Sequence, residues 1–488
     1  MTSTSSTSVI LAPSTSVQSS KLDTPELAPP TLELSEKSQD EGSRLRILWD
    51  LLRKFMNVAD FSAVRFSLPA QLIEPIPNLV CAVSYAVDNA TDLPRFTQFV
   101  DRPDAFVAIG QSDHELGRML EVIRYWLTKD LKYVTGKPIK PYNSVLGEFF
   151  RCNWEVEEEQ PPIALPDGSP TKSQSQSVTD SSASSAASAQ RETEKLITVS
   201  YITEQTSHHP PISAYYIHCP ERGIHARGYD QINVSLYRAS SLRVLPGGCN
   251  NGIHVSIDKY GEDYQLTHPT AFLGGLVKGP LYISVTDSCF ITCPKTRLKA
   301  ILTYSETIWP QKYENRVNGV IYKYDEANDK YKKAKDVPDK EVLVRLDGVW
   351  QEQIYYWFPS GDRKAKKSGP PADKRLLIDL TPLTPTPKIV PPLEEQLPNE
   401  SRRFWKDLTA AIQEKRYAEA NIIKREIEQR QRDKAKDRNK QEVVWKPRFF
   451  AEVTDDGGQP HLSEEGKAAL EGLQKREFTL KESEEVGA

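Results

Sequence analysis

Apolar residues recur with a helical period in three parts of the chain. Residues 44–56 carry them three or four positions apart, which predicts a short amphipathic helix. Residues 115–131 show the same period, and residues 401–440 combine strong helix formers with few helix breakers. The apolar stripe of the first of these helices consists of Leu45, Leu48, Leu52 and Phe55. The sequence therefore predicts helices near both ends of a folded region.

The pattern changes to short β-branched or aromatic runs between residues 196 and 358. Runs such as residues 212–217, 298–304 and 342–346 are often alternating, as in half-buried strands. Residues 149–154 and 196–201 add two more strand-like runs on either side of a polar segment. Many strands at short spacing predict a β-barrel or a β-sandwich.

Low-complexity segments interrupt these elements. Residues 1–40 are rich in Ser, Thr and Pro, so they are predicted to be a disordered tail, and residues 453–488 are predicted to be a polar tail. Residues 160–195, which are largely Ser, Gln, Ala and Thr in their second half, are predicted to form a long loop between two strands. Pro-rich residues 382–398 are expected to form an extended strap.

Composition narrows the class of protein. Of 488 residues, 38% are hydrophobic and 27% are charged, which is enough apolar material for a large core. No apolar run reaches the roughly 18 residues of a membrane-spanning helix, and the first residues do not resemble an export signal. The six cysteines are scattered without CxxC pairs, as expected for reduced thiols in the cytoplasm.

Charge is distributed unevenly. The net charge is −4, but residues 402–448 hold fifteen Lys and Arg against eight Asp and Glu. Such a helical surface suits an anionic lipid or a nucleic acid, and it is also typical of an ordinary solvated face.

The most distinctive short segment is EQTSHHPP at residues 204–211. On a bend stiffened by two prolines, His208 and His209 can face one ligand. Imidazoles donate hydrogen bonds and become cationic, so the pair suits a phosphomonoester. Zinc binding is the rival interpretation, although no third ligand stands at a recognisable spacing, and a plain structural role is the third.

The same segment matches the EQxSHHPP motif of the oxysterol-binding-protein-related family, which this chain resembles. Residues 140–148, KPYNSVLGE, resemble the family's KPxNPxLGE segment, and residues 400–405, ESRRFW, resemble its ESRxxW segment. The three motifs follow in the family's order. The resemblance implies a mixed α+β, mainly β fold over residues 41–452: a large antiparallel, near-closed β-barrel that encloses a lipid tunnel, with an N-terminal lid and flanking helices.

The resemblance also implies site residues at the tunnel mouth, where the family binds the head group of phosphatidylinositol 4-phosphate. By residue chemistry alone, Lys424, Glu428 and Arg432, four apart on a predicted helix, form an ordinary surface ladder of charges. With the other motifs present, they are expected to contact phosphate and inositol groups. The head-group residues implied by the resemblance are His208, His209, Lys140, Asn143, Lys424, Glu428 and Arg432.

The helix at residues 44–56 stands where the family keeps a lid, and the alternative is a helix that simply packs on the barrel. Residues 68–74 resemble the LPxxILE segment of the phosphatidylserine-transferring branch, with two positions reversed. Leu68, Leu72 and Ile73 are accordingly expected to line the tunnel. Residues 80–97 depart from the family pattern, either as a lineage-specific insertion or through an error in the gene model.

The resulting hypothesis is a cytoplasmic, monomeric lipid-transfer protein that touches anionic membranes transiently, at endoplasmic-reticulum contact sites. It would exchange phosphatidylinositol 4-phosphate for phosphatidylserine or a sterol, with no cofactor, metal, nucleic acid or catalytic residue. Two alternatives are a lipid sensor or scaffold and, less favoured, an enzyme that uses the histidine pair with Glu148 or Glu204.

Overall fold

The computed structural model describes residues 70, 73, 75, 77, 79, 100–128, 131, 141–157, 160–166, 196–237, 241–275, 282–309, 312–359, 373–451 and 458–481. Several predictions fall outside these residues. They are the disordered tail, the lid helix with Leu45, Leu48, Leu52 and Phe55, the positions Leu68, Leu72 and Lys140, all of residues 80–97, and most of the low-complexity loop.

The described helices are α1 (Pro103–Val107), α2 (Glu115–Thr128), α3 (Ser401–Phe404), α4 (Lys406–Gln413), α5 (Tyr417–Lys440) and α6 (Glu464–Gln474). The described strands are β1 (Phe149–Val156), β2 (Ile197–His208), β3 (Pro211–Cys219), β4 (Ile224–Asp230), β5 (Ile232–Tyr237), β6 (Ser241–Pro246), β7 (Ile253–Ile257), β8 (Glu262–Leu266), β9 (Thr270–Gly274), β10 (Tyr282–Cys293), β11 (Leu298–Trp309), β12 (Lys312–Lys323), β13 (Val342–Val349), β14 (Gln353–Trp357) and β15 (Arg375–Asp379).

All of these strands belong to one antiparallel sheet. Its main path runs β1-β2-β3-β4-β7-β8-β10-β11-β12-β13-β14-β15, and β5, β6 and β9 form an extension on the N-terminal half of β10. Strand β13 alternates regularly between buried and half-buried residues, which explains the period of two in residues 342–346. The expected mainly β fold with a large antiparallel sheet is confirmed.

The two ends of the main path are linked by the predicted Pro-rich strap. After β15 the chain turns at residues 381–382 and continues without regular secondary structure to Ile389, which pairs with Asn153 on the outer edge of β1. The backbone N–H groups of Ile389 and Asn153 each donate to the other residue's carbonyl at 2.8 Å. The sheet is therefore not closed strand to strand, but a segment that follows its last strand lies along its first one.

Helix α2 lies inside the curve of this sheet. Every residue from Gly117 to Thr128 is buried, which an amphipathic helix on a protein surface would not show. Arg118 forms a buried ion pair with Glu262 on β8, and the Trp126 indole N–H donates to the Tyr304 hydroxyl on β11 at 3.3 Å. One helix thus contacts distant strands and supplies much of the main core.

Two segments expected to be loop or tail are packed instead. Ile163 and Leu165, in the predicted low-complexity loop, are buried in the main core. Helix α6 lies in the predicted polar tail and buries Leu470 and Leu473 against β1 and β2. Short apolar stripes within charged sequence can bury a helix when a neighbouring sheet face is available, and composition alone does not show that face.

Candidate functional site

The histidine pair lies at the end of a β-hairpin. Strand β2 continues through the EQTSHHPP segment to His208, which pairs with Pro211, so the bend is limited to residues 209 and 210. Both histidines were expected on the bend, whereas His208 still belongs to β2, which keeps its pairing with β3 apart from a register shift between Gln205 and Ser207. The two imidazole centroids are 4.5 Å apart, with His208 half-buried and His209 exposed. Both rings can therefore approach one ligand from solvent.

The first residues of this segment hold the hairpin in place. Glu204 is buried and accepts hydrogen bonds from the backbone N–H groups of Arg448 and Phe449, both at 2.8 Å. Burial raises the pKa of Glu204 to about 7, against the opposing effect of these N–H donors. Gln205 accepts from the Ser213 hydroxyl on β3 at 2.7 Å. Glu204 thus faces the protein backbone, which fits a structural role better than the enzyme role considered for it.

The second motif, residues 140–148, joins the first through the backbone. The Gly147 N–H donates to the Gln205 carbonyl at 3.0 Å, and the Gln205 N–H donates to the Glu148 carbonyl at 2.8 Å. Gly147 has a φ of +75°, a conformation that favours glycine. Asn143 lies exposed four positions earlier on the same segment. Two motifs that are far apart in sequence therefore meet at Gln205.

The third motif, residues 400–405, contacts the second one, so that the three motifs form one junction. The Ser401 hydroxyl lies 2.7 Å from Oε1 of Glu148, and Glu400 forms a buried ion pair with Arg151 on β1 at 3.2 Å. The Trp405 ring lies 4.8 Å from the Tyr142 ring of the second motif. Glu148, which was considered as an assisting group in an enzyme, is fully buried at this junction.

Helix α5 packs on the same junction and carries the predicted charge ladder. Ala420 and Ile427 are buried in one small core with Tyr142, Trp405 and Ile73. Ile73 was expected to line the tunnel, and it is buried in this cluster.

Lys424 and Glu428 of the ladder are partly buried, with side chains 16% and 36% exposed, and Arg432 is exposed. Lys424 pairs with Glu428 at 2.8 Å, and Arg432 contacts Gln429 at 3.1 and 3.2 Å. The structure therefore places Asn143, the histidine pair and the ladder on three elements that meet at one junction. Their contacts with a lipid head group, and any contribution of Lys140, stay predictions.

A second feature, an apolar sheet face, was not predicted from the sequence. Strands β5, β6, β9 and β10 pair so that one face of this four-stranded extension is entirely apolar. The face consists of Ile232, Val234, Leu236, Leu242, Val244, Pro246, Ala271, Leu273, Ile283 and Val285. Val285 is buried in the main core, whereas the other nine are half-buried or, for Ile232, 51% exposed. The alternation in INVSLY at residues 232–237 was the available signal.

Such a face is unusual in a folded protein, because aliphatic side chains on one sheet face normally pack against another layer. Since Val285 points into the main core, the face continues the interior side of the sheet. Apolar surface of this kind suits acyl chains or a sterol ring system.

No described helix is long and apolar enough to span a bilayer. Within the described part of the chain, no three His, Cys, Asp or Glu side chains are grouped as metal ligands.

Comparisons with known proteins agree with the three motifs. The sequence model of the oxysterol-binding protein family matches residues 84–471. The chain is 36% identical to oxysterol-binding protein-like protein 1 of Schizosaccharomyces pombe, over 89% of this chain and 92% of that protein. It is 27% identical to human oxysterol-binding protein-related protein 11, over 76% of this chain, and it spans only 45% of that longer protein.

Solved structures agree on the fold. The Osh1 ORD domain in complex with ergosterol superposes with a TM-score of 0.59 at 18% identity, covering 93% of both chains. The Osh3 ORD in complex with PI(4)P from Saccharomyces cerevisiae gives a TM-score of 0.54 at 15% identity, covering 88% of this chain and 93% of that one. With the family sequence model matching most of the chain, the protein described here belongs to the oxysterol-binding protein family.

Proposed function

We propose that the protein extracts phosphatidylinositol 4-phosphate from a membrane and exchanges it for a second lipid, phosphatidylserine or a sterol. The observation that carries the proposal is the half-exposed apolar face of β5, β6, β9 and β10, in the same chain as a junction of three polar motifs. Acyl chains need the apolar face, and a phosphorylated head group needs the polar and charged groups of the junction.

The head group would be bound by residues from all three motifs. His208 and His209 supply imidazole donors from the β2–β3 hairpin, and Asn143 supplies an amide from the segment bound to Gln205. Lys424 and Arg432 on α5 supply positive charge for phosphate oxygens. Because their elements are fixed to one another by buried contacts, binding would cost little further ordering of the backbone.

The tails would be covered by the apolar face. Transfer of apolar surface out of water contributes about 25 cal/mol per Å2, so an acyl chain leaves a bilayer without loss only if the protein covers it as well as the bilayer does. Ile232, Val234 and Leu236 lie on the edge of this face at β5, where a further segment can complete the enclosure. Residues 44–56 are the segment we propose as that lid.

Solved relatives favour this pair of ligands. The Osh1 domain is described with ergosterol and the Osh3 domain with PI(4)P. Phosphatidylserine as the second lipid rests on the segment 68–74 alone. We place the protein, as a monomer, in the cytoplasm with transient contact to anionic membranes, where the basic residues of α5 would meet the surface.

Extraction from liposomes tests the proposal. His208→Ala with His209→Ala removes both imidazoles from a partly exposed hairpin end, so the fold is expected to survive. We expect the double variant to extract phosphatidylinositol 4-phosphate at least about tenfold less well than the parent protein, since two charge-assisted contacts are lost.

The matched control is His461→Ala, which removes an exposed histidine outside the three motifs. It should extract the lipid normally. Unchanged extraction by the double variant would remove the phosphate-site assignment. Unaltered lipid recovered after long incubation would agree with a carrier, whereas a chemically altered product would indicate an enzyme.

A further inference from the structure

The junction of the three motifs contains one hydroxyl that faces two acceptors. Oγ of Ser401 lies 2.7 Å from Oε1 of Glu148 and 3.1 Å from the carbonyl oxygen of Phe149. The other oxygen of Glu148, Oε2, accepts from the Val145 N–H at 3.0 Å. A hydroxyl has one hydrogen, so Ser401 cannot donate fully to both of its neighbours.

The proton count is satisfied if Glu148 is a neutral carboxylic acid. Its O–H then donates to Oγ of Ser401, and the Ser401 hydrogen is free to donate to the Phe149 carbonyl. Oε2 remains an acceptor for Val145. Each contact becomes a hydrogen bond with one donor and one acceptor, which the ionised form does not allow.

The neighbouring charged groups are engaged elsewhere. Glu204 on β2 accepts from backbone N–H groups, and Glu400, just before α3, pairs with Arg151 on β1. Burial raises the pKa of Glu400, against the smaller effect of the positive charge of Arg402 on α3, which lowers it. Glu148 itself is fully buried, and burial raises the pKa of its carboxyl to about 7, against the opposing effect of the Ser401 hydroxyl, the Val145 N–H and the Trp405 side chain.

Glu204 provides a contrast at the same junction. Burial also raises the pKa of Glu204 to about 7, but both of its carboxylate oxygens accept from backbone N–H groups. Those groups can only donate, so a proton on Glu204 would compete with them. Two buried glutamates with similar pKa values therefore suit opposite protonation states, and the difference lies in the partners of each.

We propose that Glu148 is a positioning residue that acts as a neutral acid, and that its proton holds the Asn143 segment against α3 and the histidine hairpin in the form that binds a phosphorylated head group. Loss of the proton would leave a buried charge at the point where the three motifs join. The inference rests on the proposed function for its ligand, but its stability test does not need a ligand.

The first experiment measures affinity for phosphatidylinositol 4-phosphate vesicles at several pH values from 6 to 8, for the parent protein and for Glu148→Gln. Glutamine is neutral throughout this range, and its amide can donate to Ser401. We expect equal affinity at pH 6 and, at pH 8, an affinity about threefold to tenfold lower for the parent than for Glu148→Gln. Any other group that changes its protonation over this pH range does so in both proteins, so the ratio isolates Glu148.

The second experiment measures melting temperature against pH without lipid. Because the pKa of Glu148 is raised in the folded state, the folded protein keeps a proton at pH values between the ordinary pKa of a glutamate and about 7. The unfolded chain has already released this proton in that range. The parent should therefore lose stability relative to Glu148→Gln as pH rises from 5 to 7, and the difference should level off above that. The inference is overturned if the parent and Glu148→Gln change in the same way with pH in both affinity and melting temperature.

Further variants keep the inference testable. If Glu148→Gln does not fold, Ser401→Ala removes the acceptor of the proposed proton, and the midpoint of the parent's pH profile should move down. An upward shift would show that Ser401 donates to an ionised carboxylate, which refutes the inference. If the parent binds no phosphoinositide at any pH, the proposed function fails, while the melting curves still decide the state of Glu148.

Discussion

A single charge on the apolar face should abolish lipid loading without unfolding the protein. Val234 lies on that face at β5, an outer strand that pairs with β6, and it is cross-strand partner to Val244. Ser235 is its neighbour in the chain and points to the opposite face, with similar half-burial. The variants Val234→Asp and Ser235→Asp therefore place the same charge on the same strand, on opposite sides of the sheet.

The magnitude follows from what Val234 would contact. A half-exposed valine still has roughly half of its side chain to be covered by lipid, which contributes about 1 kcal/mol. Holding a carboxylate against an acyl chain adds at least about 1–3 kcal/mol, because the carboxylate loses water without gaining a partner. Since about 1.4 kcal/mol is a factor of ten, we expect Val234→Asp to bind at least about thirtyfold less lipid at limiting concentration.

The assay is transfer of fluorescent lipid from donor vesicles, together with a melting curve for each variant. Val234→Asp should lose loading of both the phosphoinositide and the second lipid, because the tails are common to both. Ser235→Asp should load within about twofold of the parent, as surface substitutions usually change little. Equal loading by the two variants, or a loss confined to Ser235→Asp, would refute the assignment of the apolar face.

Three other predictions address the junction and α5. Lys424→Ala should weaken phosphoinositide binding in a vesicle assay by about tenfold. Lys475→Ala, which breaks a more exposed i,i+4 pair at the C-terminal end of α6, should not change it, and equal effects would mean that the ladder consists of ordinary surface pairs. Glu204→Gln should destabilise the protein by about 1–3 kcal/mol in denaturant unfolding, since its amide faces backbone donors, and a neutral result would mean that Glu204 is protonated. Arg151→Met should cost about 3–5 kcal/mol by leaving Glu400 as an unpaired buried charge, and unaltered stability would show that the pair is dispensable.

Local patterns were enough to predict much of this fold. Met119, Ile123 and Trp126 gave α2 its helical period, and the alternation in residues 342–346 gave β13 its strand. What the pattern did not show is that α2 is buried all round, because its partners Glu262 and Tyr304 lie 144 and 178 positions further along the chain. The missed strand β5 had a clear period of two, but its aliphatic side is not buried as in an ordinary sheet.

Part of the site could also be predicted from local sequence motifs. The three motifs identify residues that come together, because Gln205, Glu148 and Ser401 bond directly to one another's segments. The partner of Glu204 could not be predicted, since residues 448 and 449 show no motif and act through backbone N–H groups alone. Helix α6 was missed because its buried stripe of Leu470 and Leu473 is short within charged sequence.

Native mass spectrometry of the protein after incubation with vesicles that contain phosphatidylinositol 4-phosphate tests the central claim most directly. One intact phosphoinositide should be bound to each chain of the parent protein, and the species should disappear when both His208 and His209 are replaced by alanine. A spectrum that shows only lipid-free chains of the parent, or the same bound lipid in the double variant, would contradict the claim.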